Sequence, residues 1–206
     1  MEAEFYGANC IRLRTKSVSV VVDDYEADKG KIITKPSDVT VFTKENNQKI
    51  NSVFSIDQPG EYEVKDISIH GIAARAHTDS EAEKTSTIYR FVINDFRVVV
   101  TGHIYPDLSE QQLESIGMVD ILFVPVGGNG FTMDSIGALK VIRKIGPSVV
   151  VPTHYADKGV KYEVPQAELD EVRKTLSMEP TEELDHLKLK SREFAEGTKL
   201  IILKKQ

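Results

Sequence analysis

The sequence predicts an αββα sandwich, in which two β-sheets pack face to face and helices cover their outer faces. In the first hundred residues, short β-branched and aromatic runs are separated by turn residues, without a helical pattern between them. In the next hundred residues strands and helices alternate, and some strands are almost wholly apolar, as strands buried on both faces are. Only about three helices are available to cover the sheets. A doubly wound parallel sheet is the alternative, which the lack of early helices disfavours.

The first half of the chain is predicted to consist of strands and hairpins. Strand-forming runs bounded by polar residues, glycine or proline occupy 18–23, 39–43 and 52–56. A turn at Pro59-Gly60 then precedes two strand pairs with two-residue connections. Their strands lie at 61–64, 67–74, 87–93 and 96–101. Because short hairpin turns join antiparallel strands, we expect this half to be mostly antiparallel.

The second half begins with a short helix whose two ends are marked in the sequence. Ser109 and Gln112 have the spacing of a capping box, and Gly117 follows the last helical position, Ile116. After a buried strand at 119–126, a second helix is predicted with Thr132 as its N-cap. Its apolar face is expected to contain Ile136, Leu139, Ile142 and Ile145.

The last elements are a buried strand at 148–153, a third helix and a final strand at 198–203. Pro165 is predicted to lie in the first turn of the third helix. No repeat, low-complexity tract or linker divides the sequence, so we expect residues 1–206 to form one domain.

Composition narrows the functional classes. The chain has 26 basic and 32 acidic residues, a net charge of -6, which disfavours generic nucleic-acid binding. Its one cysteine, Cys10, excludes an internal disulfide and every multi-cysteine zinc motif. Without an apolar run long enough to cross a bilayer or a secretory leader pattern, we expect a cytoplasmic protein with no membrane association.

Three segments carry a resemblance to a known family: 58–77 (QPGEYEVKDISIHGIAARAH), 119–139 (VDILFVPVGGNGFTMDSIGAL) and 147–155 (PSVVVPTHY). In order and spacing they resemble blocks of the metallo-β-lactamase superfamily. The most similar branch is that of the Zn-dependent hydrolases of β-lactamase fold, which includes L-ascorbate-6-phosphate lactonase. The resemblance runs from Tyr6-Gly7 to the last strand. It implies an αββα sandwich with a one- or two-metal site at the sheet edges.

The metal motif of that family is altered in this sequence. The resemblance places Lys44, Asn46, Gln48 and Lys49 at the four ligand positions of the His-x-His-x-Asp-His motif. Ammonium groups repel a dication, and neutral amides bind zinc more weakly than imidazole or carboxylate. The family's Gly-His-Ser segment is replaced by Gly7-Ala8-Asn9, and its Gly-Asp motif by Gly102-His103. The resemblance therefore indicates that the usual two-metal centre is lost.

Three histidines remain at positions that the resemblance brings together. His77 matches the third-motif ligand, His154 matches the late ligand, and His103 takes the place of the bridging aspartate. Three imidazoles with an open fourth position form the metal site of several zinc enzymes. Asp24, after the strand at 18–23, is a weaker candidate ligand. The alternative is that the three histidines bind no metal and are satisfied by neighbouring hydrogen bonds.

Two other groups are candidate anion-binding residues. Lys44 and Lys49 could fill the altered metal pocket with positive charge, or be solvated loop lysines. Gly127 and Gly128 lie between a strand and a helix, where backbone N–H groups can bind an anion or glycine can simply permit a tight turn.

The sequence thus leaves three functional hypotheses. The first is a ligand-binding or regulatory relative of the hydrolases, which binds an anionic small molecule and has no cofactor. The second is a hydrolase of esters, lactones or phosphoesters with one zinc, manganese or iron ion at the three histidines. The third is a structural role in a homo-oligomer.

Overall fold

The computed structural model describes residues 1–25, 32–47, 49–178, 180–190, 194 and 196–206. Its first sheet consists of β1 (Glu2–Gly7), β2 (Cys10–Arg14), β3 (Ser19–Val22), β4 (Val39–Val41), β5 (Phe54–Ile56) and β13 (Leu187–Lys188). The order across this sheet is β13-β1-β2-β3-β4-β5. The pairs from β13 to β3 are antiparallel, whereas β3, β4 and β5 are parallel to one another. The first half is therefore less uniformly antiparallel than the sequence predicts.

In the described part of the chain, the second sheet has eight strands. They are β6 (Gly60–Val64), β7 (Ile67–Ala74), β8 (Ser86–Ile93), β9 (Phe96–Val100), β10 (Ile121–Pro125), β11 (Val149–Thr153), β12 (Pro180–Leu184) and β14 (Lys199–Leu203). Their order is β12-β14-β11-β10-β9-β8-β7-β6. Strands β6 to β9 form the two predicted antiparallel hairpins, and β9, β10, β11, β14 and β12 are parallel. Two mixed sheets with few helices confirm the predicted sandwich class.

Three helices are described: α1 (Glu110–Ile116), α2 (Ser135–Ile145) and α3 (Leu169–Leu176). Helix α1 contacts β7 and α2 contacts β10, so both lie against the eight-stranded sheet, and α3 packs on α2. The capping box of Ser109 and Gln112 and the C-cap at Gly117 are both present. In the described parts of the chain, no helix is long and apolar enough to cross a membrane.

Helix α2 differs from the prediction at its start and in its buried face. Its N-cap is Asp134, whose carboxylate accepts a hydrogen bond from the N–H of Gly137, and not Thr132. The side chain of Ile136 is 68% exposed, whereas Gly137 and Ala138 are buried. A Cβ at Gly137 would lie 3.0 Å from Pro106, so small residues let the helix approach its neighbours on this face.

Helix α3 starts after the predicted position at Pro165. Its N-cap is Glu168, which makes no side-chain cap hydrogen bond. The preceding residues run as an irregular segment, because the backbone N–H of Ala167 donates to Gly127 and its carbonyl accepts from Ala156. These bonds hold Gln166 against the end of the eight-stranded sheet.

The carboxyl ends of several parallel strands lie close together at one edge of the sandwich. Residues 101–103 follow β9, residues 126–128 follow β10, and His154 follows β11. The other sheet contributes Thr43, whose carbonyl accepts a hydrogen bond from the N–H of Thr87. A Cβ at Gly102 would lie 2.4 Å from the Thr43 side chain, so the two sheets meet closely here. Open α/β sheets commonly place their sites at such an edge.

Candidate metal and ligand site

The structure brings His77, His103 and His154 together at this edge, as the family resemblance implies. The backbone N–H of His77 donates to the carbonyl of His103 at 2.8 Å. The rings of His103 and His154 meet edge to face, with 4.6 Å between their centroids. Both of these rings are buried, whereas His77 is half-buried.

His154 is held in one orientation by the backbone and by Gln166. It has a left-handed φ of +52°, and its N–H donates to the carbonyl of Ala8 at 2.7 Å. Its Nδ1 lies 3.0 Å from Oε1 of Gln166. Burial lowers the pKa of His154 to about 4, so the ring is neutral near pH 7. A neutral imidazole has a lone pair on one nitrogen, which is what a metal ligand requires.

His103 is also neutral and is bonded to a second amide. Its Nε2 lies 3.0 Å from Nδ2 of Asn9, and Oδ1 of Asn9 accepts a hydrogen bond from the hydroxyl of Thr153 at 2.8 Å. Burial lowers the pKa of His103 well below its usual value, and the neighbouring His154, Lys44 and His77 lower it further. Within the described residues, the buried Nδ1 of His103 has no hydrogen-bond partner.

His77 connects the pair to the surface. It lines a cleft of about 380 Å³ together with Tyr105, Thr132, Asp134 and Lys140. Burial lowers its pKa, and the charge of Asp134 opposes that effect. The buried Nδ1 of His77 has no hydrogen-bond partner in the described part of the chain.

The donor chemistry of these histidines fits a transition metal. Two buried nitrogens without a partner and a third neutral imidazole are ligands that zinc, manganese and iron accept. The ligand atoms of the three histidines lie farther apart than the ligand atoms around one ion do. Among the described residues, the group of three such side chains with all ligand atoms within 4.8 Å of one another is Glu2, Glu4 and His186. Binding one ion to all three site histidines therefore requires side-chain movement.

Asp24 is occupied by backbone hydrogen bonds. Its carboxylate accepts from the N–H of Ile33 and from both the N–H and the hydroxyl of Thr34. The adjacent Asp23, which sequence reasoning missed, accepts from the N–H and hydroxyl of Thr43. Burial raises the pKa of Asp23 to about 6. Its position directly after an apolar strand was the available signal, and it anchors the segment that carries Lys44.

The two candidate lysines differ in their surroundings. Lys44 is half-buried and pairs with Ser86 in an isolated antiparallel bridge. Its charge lowers the pKa of both His103 and Asp79. Lys49 is exposed, and Gln48 lies outside the described residues. The structure thus places Lys44 near His103, whereas Lys49 is an exposed side chain.

The glycine loop is shaped by its contacts with His154 and Gln166. A Cβ at Gly127 would lie 2.0 Å from Oε1 of Gln166 and 2.1 Å from the carbonyl oxygen of His154. Gly128 has φ +75°, and its N–H donates to the carbonyl of Met133. Glycine is therefore required at 127 by close approach and at 128 by the turn. The sequence marks Asn9 only as part of the altered Gly7-Ala8-Asn9 segment, and nothing in the local sequence marks Gln166.

The chain is similar to a UPF0173 protein and to two proteins described as hydrolases. A UPF0173 protein of Pyrococcus abyssi is 26% identical over 187 residues, covering 77% of this chain and 85% of the relative. A UPF0173 metal-dependent hydrolase of Carboxydothermus hydrogenoformans is 51% identical over 43 residues, 21% of this chain and 19% of that protein. The crystal structure of a candidate Zn-dependent hydrolase of the metallo-β-lactamase superfamily, from Thermotoga maritima, has a TM-score of 0.75. At 24% identity, with 98% of both chains covered, it establishes the fold.

These matches correct one expectation from the sequence. We expected no cofactor, with one zinc, manganese or iron ion as the alternative. The first expectation is wrong, since the relatives from Carboxydothermus and Thermotoga are described as metal-dependent and Zn-dependent hydrolases.

The likeness to one family extends over most of the sequence. The model of the beta-lactamase superfamily domain matches residues 2–154, which include all three site histidines. The two mixed sheets and the Thermotoga structure agree with that match. The chain therefore belongs to the β-lactamase superfamily and has the metallo-β-lactamase fold.

Proposed function

We propose that this protein is a metal-dependent hydrolase in which His77, His103 and His154 bind a single zinc, manganese or iron ion. The observation that carries the proposal is the buried contact between two neutral imidazoles, His103 and His154, with 4.6 Å between ring centroids. Neutral rings at a sheet edge are suited to metal binding and cost less to bury than charged ones. The descriptions of the relatives support the same chemistry.

His77, His103 and His154 would hold the ion, which, when bound, would supply a water of lowered pKa and a Lewis acid for an ester, lactone or phosphoester. The residues of this chain supply the rest of the site. Gln166 and Asn9 orient the buried rings, and His77 faces the cleft through which a substrate would enter. Tyr105 and Ile136 provide apolar surface along that cleft.

Lys44 supports one ion rather than two. Its ammonium group lies near enough to His103 to lower the pKa of that ring. A second dication in the same place would be repelled by the lysine and would lack a carboxylate to bridge it, because position 103 is histidine. The same positive charge would favour an anionic substrate, such as a phosphoester.

Hydrolysis tests the proposal. Zinc-loaded and manganese-loaded protein should hydrolyse a member of a panel of aryl esters, lactones and phosphoesters, and chelation should abolish the reaction. His154→Ala removes a ligand, so the rate should fall by at least the roughly 10- to 100-fold that follows the loss of a group hydrogen-bonded to a ligand. His70→Ala, a mid-strand change in β7, is the matched control and should retain activity. Equal rates in the parent and in His154→Ala would contradict the proposal.

Lys44 also favours a second candidate, an anion-binding or regulatory protein without hydrolysis. A half-buried lysine beside neutral imidazoles is a suitable contact for a phosphate or carboxylate group. Inorganic phosphate should then raise the melting temperature of the parent but not of Lys44→Ala. Lys49→Ala, which changes an exposed lysine of the same segment, should respond like the parent. An equal shift in all three proteins would remove this candidate.

A further inference from the structure

Two side-chain amides contact the buried histidine pair, and they constrain it differently. Gln166 is 9% exposed and bonds Nδ1 of His154, whereas Asn9 is 3% exposed and bonds Nε2 of His103. A neutral imidazole has one N–H and one lone pair, so the amide atom that faces it determines which nitrogen can bind a metal.

The amide of Gln166 has one permitted orientation. Its Nε2 donates to the backbone carbonyl of Val164 at 2.9 Å. A backbone carbonyl can only accept, so rotating the amide would place two acceptors face to face. Oε1 therefore faces His154 and accepts from its ring, which puts the proton on Nδ1 and the lone pair on Nε2.

The surrounding backbone keeps Gln166 in this place. Ala167, the next residue, donates its N–H to Gly127 at 2.9 Å and accepts from the N–H of Ala156 at 2.9 Å. Gly127 has no side chain at the point where a Cβ would lie 2.0 Å from the Gln166 oxygen. The amide thus fits against the loop after β10 only because that position is glycine.

Asn9 does not impose the same constraint on its histidine. Its partners are the hydroxyl of Thr153 and the ring of His103, and each of these can donate or accept. Rotating the Asn9 amide and reversing the Thr153 hydroxyl would preserve both hydrogen bonds while moving the proton on His103. Of the two amides, Gln166 alone fixes a tautomer.

We propose that Gln166 is a positioning residue that locks His154 in the Nδ1–H tautomer, so that Nε2 always has its lone pair available. The tautomer follows from the hydrogen bonds alone. Its effect on metal affinity rests on the proposed function, since it requires His154 to be a ligand. Outer partners that orient a ligating imidazole typically contribute 10- to 100-fold to metal affinity.

The tautomer is measured in metal-free protein by long-range ¹H–¹⁵N correlation spectra of the histidine rings, in mildly alkaline buffer. His154→Gln assigns the His154 signal. The parent should show His154 as the Nδ1–H form alone. Detection of the Nε2–H form as the main species in the parent would overturn the proposal, whatever the variants do.

Three variants separate positioning from a structural effect. Gln166→Leu removes the acceptor and should give a mixture of both tautomers, whereas Gln166→Glu loses the hydrogen bond to Val164 but retains an acceptor for the ring and should keep Nδ1–H. Val164→Ala preserves the backbone carbonyl and is the matched control, which should match the parent. An unchanged His154 tautomer in folded Gln166→Leu would overturn the lock.

Metal affinity, measured by competition with a chromophoric zinc chelator, tests the consequence separately. We expect Gln166→Leu to bind zinc roughly 10- to 100-fold more weakly than the parent and Gln166→Glu to bind it at least as tightly as Gln166→Leu. If the tautomers are as predicted but the parent binds no zinc, the control of the His154 tautomer by Gln166 is supported and the proposed function fails. If the parent binds zinc and Gln166→Leu binds it equally well, the positioning role fails.

Discussion

The carboxylate of Asp23 accepts two hydrogen bonds from Thr43, one from its backbone N–H and one from its hydroxyl, each 2.7 Å long. Asp23 follows β3 and Thr43 follows β4, so this contact fixes the start of the segment that contains Lys44. Burial raises the pKa of Asp23 to about 6, because the ionised carboxylate has little contact with water.

This raised pKa predicts a pH-dependent contribution to stability. A group whose pKa rises on folding binds protons more tightly in the folded state, so its contribution is present at acidic pH and is lost between about pH 4 and pH 6. The change from 3.8 to about 6 corresponds to about 3 kcal/mol. The unfolding free energy of the parent minus that of Asp23→Asn, from urea titrations, should fall by that amount across this range. A difference that does not vary with pH would contradict the assignment.

The lowered pKa of His154 predicts a pH-dependent contribution to stability of the opposite sign. Its pKa falls from 6.5 to about 4 on folding, so the unfolded chain binds the proton more readily. The contribution is present above about pH 6.5 and is lost as the pH falls toward 4, by about 3 kcal/mol. His154→Gln should lack this loss, whereas Asp23→Asn, which retains His154, should show it. Acid unfolding curves that coincide for the parent and His154→Gln would argue against a buried neutral ring.

Gly127 and Gly130 separate two reasons for glycine in one loop. Gly127→Ala would place a Cβ 2.0 Å from the Gln166 oxygen, and we expect it to cost about 1 to 3 kcal/mol and to displace Gln166. Gly130 has φ +77° with nothing within 4 Å of its Cβ, so Gly130→Ala should cost only about 1 to 2 kcal/mol through its backbone conformation. Gly130→Ala should also preserve the His154 tautomer. If Gly130→Ala changed the His154 tautomer and Gly127→Ala did not, the close-approach argument would be refuted.

The N-cap of α2 is Asp134 in the structure and Thr132 in the prediction from the sequence, and the two can be distinguished by mutation. Asp134→Ala should destabilise the protein by about 1 kcal/mol, because it removes the hydrogen bond to Gly137. Thr132→Val should cost less, since the buried Thr132 hydroxyl has no partner among the described residues. Thermal unfolding of the two variants checks this order. A larger loss of stability in Thr132→Val than in Asp134→Ala would instead support Thr132 as the N-cap, as the sequence predicts.

Local sequence patterns were sufficient for much of the fold. The box of Ser109 and Gln112 with Gly117 marked both ends of α1, because all three residues act within one helix. Strands β1 and β2 were not predicted from the sequence, because charged residues occupy buried positions in them. Glu4 and Arg12 are 5% and 7% exposed, with 3.9 Å between their charged groups, and such a pairing across strands is invisible in a local pattern.

The candidate site was predictable only in part. The family resemblance placed His77, His103 and His154 correctly at one edge, since it aligned distant segments of the chain. It marked Asn9 only as part of an altered segment and did not reveal its contact with a histidine 94 residues away. Nor did it reveal Gln166, whose role depends on the carbonyl of Val164 and on the missing side chain at Gly127. These roles arise from tertiary contacts between unremarkable polar residues.

The central claim is a single metal ion held by three histidines, and metal content tests it most directly. Protein purified without added metal and analysed by plasma mass spectrometry should contain about one zinc, manganese or iron ion per chain. The triple variant of His77, His103 and His154 to alanine should lose it. His186→Ala, which alters the acidic cluster of Glu2 and Glu4, should retain it. Metal-free parent protein with a melting temperature that zinc does not change, or loss of metal in His186→Ala alone, would contradict the account.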